Sequence, residues 1–330
     1  MHVLRIEDAI DLVTATLRRC RTSPANADTV ARALVAAEAD GLGGHGLSRL
    51  PSYAAQAKVG KVDGYATPTA IRRAPGVLAI DAAHGFAYPA LDMAVMALPD
   101  IARGQGVAVA AIRQSHHCGA AGLPVERLAE QGLVALLFAN TPAAIAPWGG
   151  ARGMFGTNPI AFSCPIPDQP PVVVDLSLSK GARGNIFAAK QRGEPIPEGW
   201  ALDAEGRPTT DPAEALTGTM LPVGDAKGAA LALMVEVLAA GLTGANYATE
   251  ASSFLDDAGS PPGTGQLIVA FDPVAIGGPA TLSRFGALAR MIETEPGARL
   301  PGDRRRKNRA AAERNGLSID GALLAEIEAI

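Results

Sequence analysis

The sequence predicts a mixed fold of the α+β or α/β class, with helices at both ends of the chain and a strand-rich middle. Apolar residues recur at helical spacing in the first part, and short apolar runs broken by Gly and Pro follow from about Val77. The pattern becomes helical again from about Thr281. With 330 residues, 48% of them hydrophobic, the chain is long enough for two or three structural units and a large core.

The first part of the chain is predicted to form two helices. Ile6, Ile10 and Leu17 recur at the spacing of one helical face. Ser23-Pro24 is typical of an N-cap followed by proline at the first helical position. The second helix should then run to the glycines that begin at Gly41.

The middle of the chain is predicted to contain both strands and helices. The predicted strands are residues 77–81, 106–112, 133–138, 172–175 and 267–271. The predicted helices are residues 91–104, 123–131 and 228–242. We expect the two terminal parts, 1–73 and 280–330, to pack together beside a central unit, 74–279.

Composition narrows the classes of protein to which the chain can belong. The net charge is −4 and no long basic run precedes the C-terminal region, which argues against nucleic acid as a partner. Three cysteines without CxxC spacing indicate a reducing compartment. The N-terminus shows no secretory signal, and residues 228–245 carry Glu236, which favours a buried helix over a membrane span. We therefore expect a cytoplasmic protein that binds no membrane.

The most informative segment is Gly44-His45-Gly46-Leu47-Ser48-Arg49. Histidine exchanges protons near neutral pH, and arginine binds a carboxylate through two parallel hydrogen bonds. The flanking glycines allow a substrate to approach closely. This set suits a site that reduces an anionic carbonyl compound. The alternative is a helix that ends at Gly41 or Gly43, with His45 as an ordinary loop residue.

Several common motifs are absent. Residues 41–46 match GxGxxG, but they follow a helix, whereas the dinucleotide fingerprint must follow a strand. The sequence has no P-loop, no HExxH, no GxSxG and no Cys/His set at zinc spacing. We therefore expect no metal.

A second candidate is the turn at residues 115–122, which contains His116, His117 and Gly119 between a predicted strand and a predicted helix. Small residues there expose backbone N–H groups that suit a phosphate. The alternative is a turn in which a histidine bonds to the backbone.

Four further segments carry polar or charged residues next to predicted elements. The simpler interpretation of each is an ordinary turn, a strand end, a helix start or, for the basic run, solvated charge. The segments are residues 156–159, 175–185, 224–228 and the basic run 304–307, for which an adenosine 2′-phosphate is the sharper interpretation.

These segments in this order, together with residues 198–203 and 208–212, resemble the malate/L-lactate dehydrogenase family that lacks a Rossmann fold. Ureidoglycolate and sulfolactate dehydrogenases, diketogulonate reductase and Δ1-piperideine-2-carboxylate reductases belong to it. The resemblance implies NAD(P)H-dependent hydride transfer to C2 of a 2-oxo acid or a cyclic 2-imino acid. It also implies a non-Rossmann nucleotide-binding domain, a helical domain built from both termini, and homodimers with active sites near the subunit interface.

The resemblance also implies roles for individual residues. By position, His45 matches the proton donor and Arg49 the substrate-carboxylate ligand, while Thr157, Arg183 and Gly184 match other substrate positions. NADPH is the expected cofactor, with NADH as the alternative. The positions that match the cofactor side are His117, Cys118, Gly119, Ala120, Asp175, Leu176, Ser177, Asp225, Lys227, Arg304, Arg305, Arg306 and Lys307.

The chain departs from the family pattern at two positions. Gly44 stands where the family usually has serine, and Asn185 stands at the catalytic position where the piperideine-carboxylate branch has an aspartate. Both changes remove members of the relay around His45. Either Ser48 or Asp40 takes over that function, or the substrate differs from that of the branch.

The leading expectation is a reductase of small 2-oxo acids that runs in reverse as a 2-hydroxy acid dehydrogenase. Arg49 and Arg183 provide two cationic groups, which favour a dicarboxylic or sulfonated substrate. A cyclic ketimine reductase is the alternative enzyme. A cofactor-binding protein without turnover is the alternative from another class.

Overall fold

A computed structural model describes residues 2–330 and contains a central sheet of seven strands. In spatial order these are β2 (Thr69–Ala74), β3 (Val77–Asp81), β4 (Val107–Ser115), β11 (Thr264–Phe271), β5 (Val134–Ala139), β6 (Ile160–Ile166) and β7 (Gln169–Leu176). Neighbouring strands are antiparallel except for the parallel pair β3 and β4. The predicted mixed α/β class is confirmed, and all five predicted strands lie in this sheet. Strands β2 and β6 were not predicted.

Twelve helices accompany the sheet within residues 2–330. They are α1 (Ile6–Arg19), α2 (Pro24–Ala39), α3 (Leu50–Val59), α4 (Ala87–Gln105), α5 (Gly122–Ala129), α6 (Arg183–Arg192), α7 (Pro212–Thr217), α8 (Ala226–Glu236), α9 (Pro273–Gly277), α10 (Thr281–Glu293), α11 (Asp303–Asn315) and α12 (Gly321–Glu328). The Ser23 hydroxyl accepts the Asn26 N–H, which confirms the predicted N-cap of α2. Gly41 follows this helix at φ +76°, a conformation that favours glycine.

The two ends of the chain meet. Strand β1 (His2–Leu4) pairs antiparallel with β12 (Leu317–Ile319). Helix α11 packs against α2, and the Asn308 side chain donates to the Asp40 carbonyl across that contact at 3.0 Å. Apolar side chains from α1, α2, α4, α12 and the sheet form one continuous core. The C-terminal segment therefore supports the region from which His45 projects.

A small lobe lies between β7 and α8 and has its own apolar core. It contains α6, α7 and a three-stranded sheet in the order β10 (Thr219–Met220), β8 (Ala201–Leu202) and β9 (Pro208–Thr209). The buried side chains of this core are Ala144, Ile145, Ile186, Ala189, Ile196, Ala201, Ala215 and Met220. Arg183 and Asn185 belong to this lobe.

The helix predicted at residues 228–242 is present, but only one of its faces is buried. Helix α8 continues as a π-helical turn at Val237–Gly241, and one face of this segment is buried. Leu233, Val237 and Leu242 on the other face are 50%, 53% and 64% exposed. Within residues 2–330, no helix has the length and apolar character needed to cross a membrane.

Candidate active site

His45 and Arg49 lie on the tight connection between α2 and α3, which consists of two short 3-10 turns. The Ser48 hydroxyl donates to the Gly43 carbonyl at 2.6 Å, so it stabilises the turn and makes no hydrogen bond to His45. Arg49 Nε donates to the Gly44 carbonyl, also at 2.6 Å. Because Nε is used in this way, the guanidinium has a fixed direction and its two terminal nitrogens can bind a ligand.

A carboxylate on α2 supports the same connection. Oε2 of Glu38 accepts the Leu47 N–H at 2.9 Å. A Cβ at Gly46 would collide with that carboxylate, so only glycine allows the connection to approach α2 this closely. Glu38 was not among the predicted site residues, because one acidic residue on an amphipathic helix gives no signal of its own.

One edge of the His45 ring is buried and its face packs on His117. The two ring centroids are 5.3 Å apart and the planes are 22° from parallel. Nδ1 of His45 is buried and has no hydrogen-bond partner within residues 2–330. Burial lowers the pKa of His45 to about 4, and the charge of Arg49 contributes to this shift. At neutral pH the imidazole is therefore uncharged and can accept a proton.

His116 and His117 occupy the turn after β4, and α3 binds both of them. The Tyr53 hydroxyl lies 2.6 Å from Nδ1 of His117, and Oε1 of Gln56 lies 2.9 Å from Nε2 of His116. The Phe254 ring packs against both imidazoles. Burial lowers the pKa of His116 to about 3 and that of His117 well below its usual value. The only sequence signal for Tyr53 and Gln56 was their three-residue spacing on one helix face.

The carboxyl end of β7 meets the N-terminus of α5. Oδ2 of Asp175 accepts the Gly122 N–H at 2.7 Å, and burial raises the pKa of this carboxyl group. A Cβ at Gly122 would collide with Nη1 of Arg305, which is buried and has no partner within residues 2–330. Leu176 and Ser177 follow at the surface. The Asp175 carboxylate therefore already occupies this helix N-terminus, close to the Arg305 guanidinium.

The remaining residues of the histidine turn are close-packed. Cys118 and Ala120 are buried, and Gly119 adopts φ +66° with the Tyr88 hydroxyl against its Cα. Burial raises the pKa of Cys118 to about 12, so its side chain remains a thiol and is not a nucleophile.

The basic run 304–307 does not form one cluster. Arg305 is buried and donates to Oδ2 of Asp40 through Nε at 2.9 Å and through Nη2 at 2.7 Å. Arg309 binds both oxygens of the same carboxylate, and both arginines also bind Glu126. The two guanidinium groups, both on α11, therefore enclose Asp40 at the end of α2 and also bind Glu126 on α5. In this way they join the three helices. Asp40 does not serve as a relay partner for His45.

The other three cations of the run differ in their surroundings. Arg306 pairs with Asp303 and donates to the Pro171 carbonyl. Arg304 and Lys307 are exposed, and neither has an ion-pair partner among the described residues. These two side chains are therefore free to bind a phosphate.

The predicted substrate residues of the small lobe lie at the start of α6. Arg183 is partly buried, donates to the Leu216 carbonyl at 3.4 Å and has no carboxylate partner within residues 2–330. Its burial lowers the pKa of the guanidinium. Gly184 and Asn185 are exposed, and the Asn185 side chain makes no hydrogen bond to His45.

A buried carboxylate fixes the turn that carries Thr157. Asn158 is fully buried, and its side chain donates to Oε2 of Glu236 at 2.8 Å. Oε1 of Glu236 accepts the Ala248 N–H at 2.6 Å. Glu236, the charge within the predicted apolar helix, therefore connects α8 to this turn. Thr157 itself bonds through its N–H to the Thr141 hydroxyl at 2.9 Å.

The last predicted cofactor residues lie at the start of α8. Asp225 pairs with Lys180 at 2.7 Å, and Lys227 is exposed. The structure therefore groups His45, Arg49 and His117, and it places Arg183 and Asn185 on the small lobe. Among residues 2–330, no group of three His, Cys, Asp or Glu side chains could hold a metal ion.

Comparison with known proteins identifies relatives along almost the whole chain. The (2R)-3-sulfolactate dehydrogenase (NADP(+)) of Chromohalobacter salexigens is 51% identical over 304 residues, which cover 92% of this chain and 91% of that protein. The Δ1-pyrroline-2-carboxylate/Δ1-piperideine-2-carboxylate reductase of Pseudomonas putida is 41% identical over 313 residues, which cover 93% of this chain and 91% of that protein.

The solved structures agree with these relatives. The crystal structure of Δ1-piperideine-2-carboxylate reductase from Pseudomonas syringae pv. tomato superposes with a TM-score of 0.94. It is 40% identical, and the match covers 100% of this chain and 99% of that one. A sequence model described as malate/L-lactate dehydrogenase matches residues 4–328. The chain is therefore a member of the malate/L-lactate dehydrogenase family of oxidoreductases.

Proposed function

We propose that the protein is an NADPH-dependent reductase that acts at C2 of a small 2-oxo acid with a second anionic group. In reverse it is a 2-hydroxy acid dehydrogenase. The observation that carries this proposal is the pairing of an uncharged, partly buried His45 with Arg49. The positive charge of Arg49 influences the pKa of His45, Tyr53, Tyr88, His116 and His117. The 51% identity to a sulfolactate dehydrogenase supports a sulfonated substrate.

Arg49 and His45 have different roles in the proposed reaction, and each role follows from the chemistry of the side chain. The terminal nitrogens of Arg49 bind the carboxylate next to C2, and the Nε bond to the Gly44 carbonyl fixes the position of that carboxylate. A bound nicotinamide supplies or accepts the hydride. His45 moves the proton of the C2 oxygen: its neutral ring accepts this proton during oxidation, and its protonated ring returns it during reduction.

Substrate binding changes the proton affinity of His45. In the free protein the Arg49 charge acts against protonation of the ring. A substrate anion on Arg49 cancels this charge and adds a negative charge nearby, so the pKa of His45 rises. Binding of the substrate anion therefore favours the protonated ring that donates during reduction, while burial, the main cause of the low pKa of His45, remains.

The exposed cations of the basic run fit a nucleotide phosphate, whereas Arg305 is used by Asp40 and Glu126. Arg304 and Lys307 are the exposed cations suited to an adenosine 2′-phosphate, which supports NADPH over NADH. We propose that this largely antiparallel, non-Rossmann sheet holds the nucleotide beside a helical domain formed by both termini. No metal is required by this chemistry.

Reduction of cyclic imines is the second candidate. The 40% identity and the TM-score of 0.94 to a piperideine-2-carboxylate reductase favour it. Gly44 and the exposed Asn185 oppose it, because neither supplies a charged or hydroxyl group to His45.

We further propose a homodimer in the cytoplasm. The exposed apolar side chains Leu233, Val237 and Leu242 support association with a second copy. The free thiols Cys20, Cys118 and Cys164 support a reducing compartment. Light scattering during size-exclusion chromatography should give the mass of two chains, and a mass of one chain would contradict the dimer.

Initial rates with NADPH against pyruvate, oxaloacetate, sulfopyruvate and piperideine-2-carboxylate test the function. We expect sulfopyruvate or oxaloacetate to give the highest specificity constant. A higher constant for the cyclic imine would select the second candidate. Absence of turnover with all four, despite NADPH binding, would indicate a cofactor-binding protein.

A further inference from the structure

We propose that Tyr53 is a positioning residue: its hydroxyl donates to Nδ1 of His117 and so fixes His117 as the tautomer with its proton on Nε2. This assignment deepens the proposed oxidoreductase function and rests on it. Tyr53 is fully buried on α3, and its oxygen lies 2.6 Å from Nδ1 of His117.

The direction of this hydrogen bond follows from the neighbours of the hydroxyl. Tyr53 has one proton to donate and two acceptors in reach, Nδ1 of His117 at 2.6 Å and the Tyr88 oxygen at 3.2 Å. A phenol is a stronger acid than a neutral imidazole N–H, and an imidazole nitrogen is a better acceptor than a phenol oxygen. The shorter bond therefore runs from Tyr53 to His117, and Tyr88 donates to Tyr53.

Both tyrosines keep their protons. Burial raises the pKa of Tyr53 and of Tyr88 above the usual value, so neither becomes a phenolate at physiological pH. The Tyr88 hydroxyl also packs against Gly119, where a Cβ would collide with it. The hydroxyls of Tyr88 and Tyr53 therefore form a hydrogen-bonded chain that ends on His117 in the histidine turn.

His116 provides an internal comparison. Nε2 of Gln56 donates to the Phe254 carbonyl at 2.9 Å, and a carbonyl can only accept. Oε1 of Gln56 must then face His116, 2.9 Å away, so Nε2 of His116 carries the proton. The same helix α3 therefore sets the tautomer of both adjacent histidines.

The assignment has two consequences for the site. His117 offers an N–H donor on the edge opposite Tyr53, which suits an oxygen atom of a ligand. The fixed plane of His117 also supports the His45 ring, whose centroid lies 5.3 Å away. Loss of the Tyr53 hydroxyl should therefore disturb His45 through His117.

The test is a long-range ¹H–¹⁵N correlation spectrum of the ¹⁵N-labelled full-length protein, with the His117 signals assigned by their loss in His117→Asn. In the wild type we expect an unprotonated Nδ1 and a protonated Nε2 on His117. Tyr53→Phe should shift these signals toward a mixture of tautomers. It should also lower kcat for the preferred oxo acid about tenfold, with little change in KM.

Tyr88→Phe is the matched control, because it removes a buried hydroxyl but leaves the Tyr53–His117 bond in place. Its His117 signals should stay as in the wild type. A protonated Nδ1 in the wild type, or an unchanged spectrum in Tyr53→Phe, would overturn the assignment. The expected tautomer in a protein that turns over no substrate would leave the assignment standing and refute the proposed function instead.

Discussion

His45→Gln should make the stability of the protein less sensitive to acid. The pKa of His45 is lowered from 6.5 to about 4 in the folded state, mainly by burial and then by Arg49. Between these two values the unfolded chain binds a proton that the folded chain does not, so stability falls as the pH drops through 6.5. One such site contributes about 1.4 kcal/mol per pH unit once the unfolded histidine is fully protonated.

Integrated from pH 7.5 to 5.0, this site contributes about 2 kcal/mol. Glutamine has a similar volume and no titratable ring, so the variant should lose about 2 kcal/mol less than the wild type over that interval. Urea unfolding at the two pH values, followed by tryptophan fluorescence, measures the difference. The same variant should turn over at least about a hundredfold more slowly. Equal acid sensitivity in both proteins would refute the buried, uncharged state of His45.

Four further predictions test the proposed ligand contacts and the residues around them. Replacing Arg304 and Lys307 by alanine should raise KM for NADPH about tenfold and leave KM for NADH unchanged; equal changes would show that the two cations are only solvated. Arg305→Ala should instead lower the urea midpoint, because two buried carboxylates lose a partner. Arg183→Ala should lower kcat/KM for sulfopyruvate about tenfold or more with little effect on pyruvate, and a uniform loss would assign Arg183 to the lobe structure. Gly44→Ser, whose Cβ meets no atom within 4 Å, should fold normally and raise kcat/KM for piperideine-2-carboxylate about threefold or more; no gain would show that the missing serine does not limit imine reduction.

Much of the local structure could be predicted from the sequence, because its determinants lie within a few residues of each other. The cap formed by Ser23 and Pro24 starts α2 where expected. The apolar runs became strands, and the predicted helix at 91–104 was found within the longer α4. The site motif at Gly44 to Arg49 was also visible, since its chemistry depends on residue type and short spacing.

The tertiary structure alone decided which side chains act together. Tyr53 contacts His117 across 64 positions of sequence, and Arg305 contacts Asp40 across 265. From the sequence, Asp40 was a candidate partner of His45, and Arg305 was a candidate ligand of a phosphate. Packing of α11 against α2 instead pairs Asp40 with Arg305. Periodicity and capping are encoded locally, whereas the partner of a buried charge depends on which segments pack together, and no short stretch of sequence contains that information.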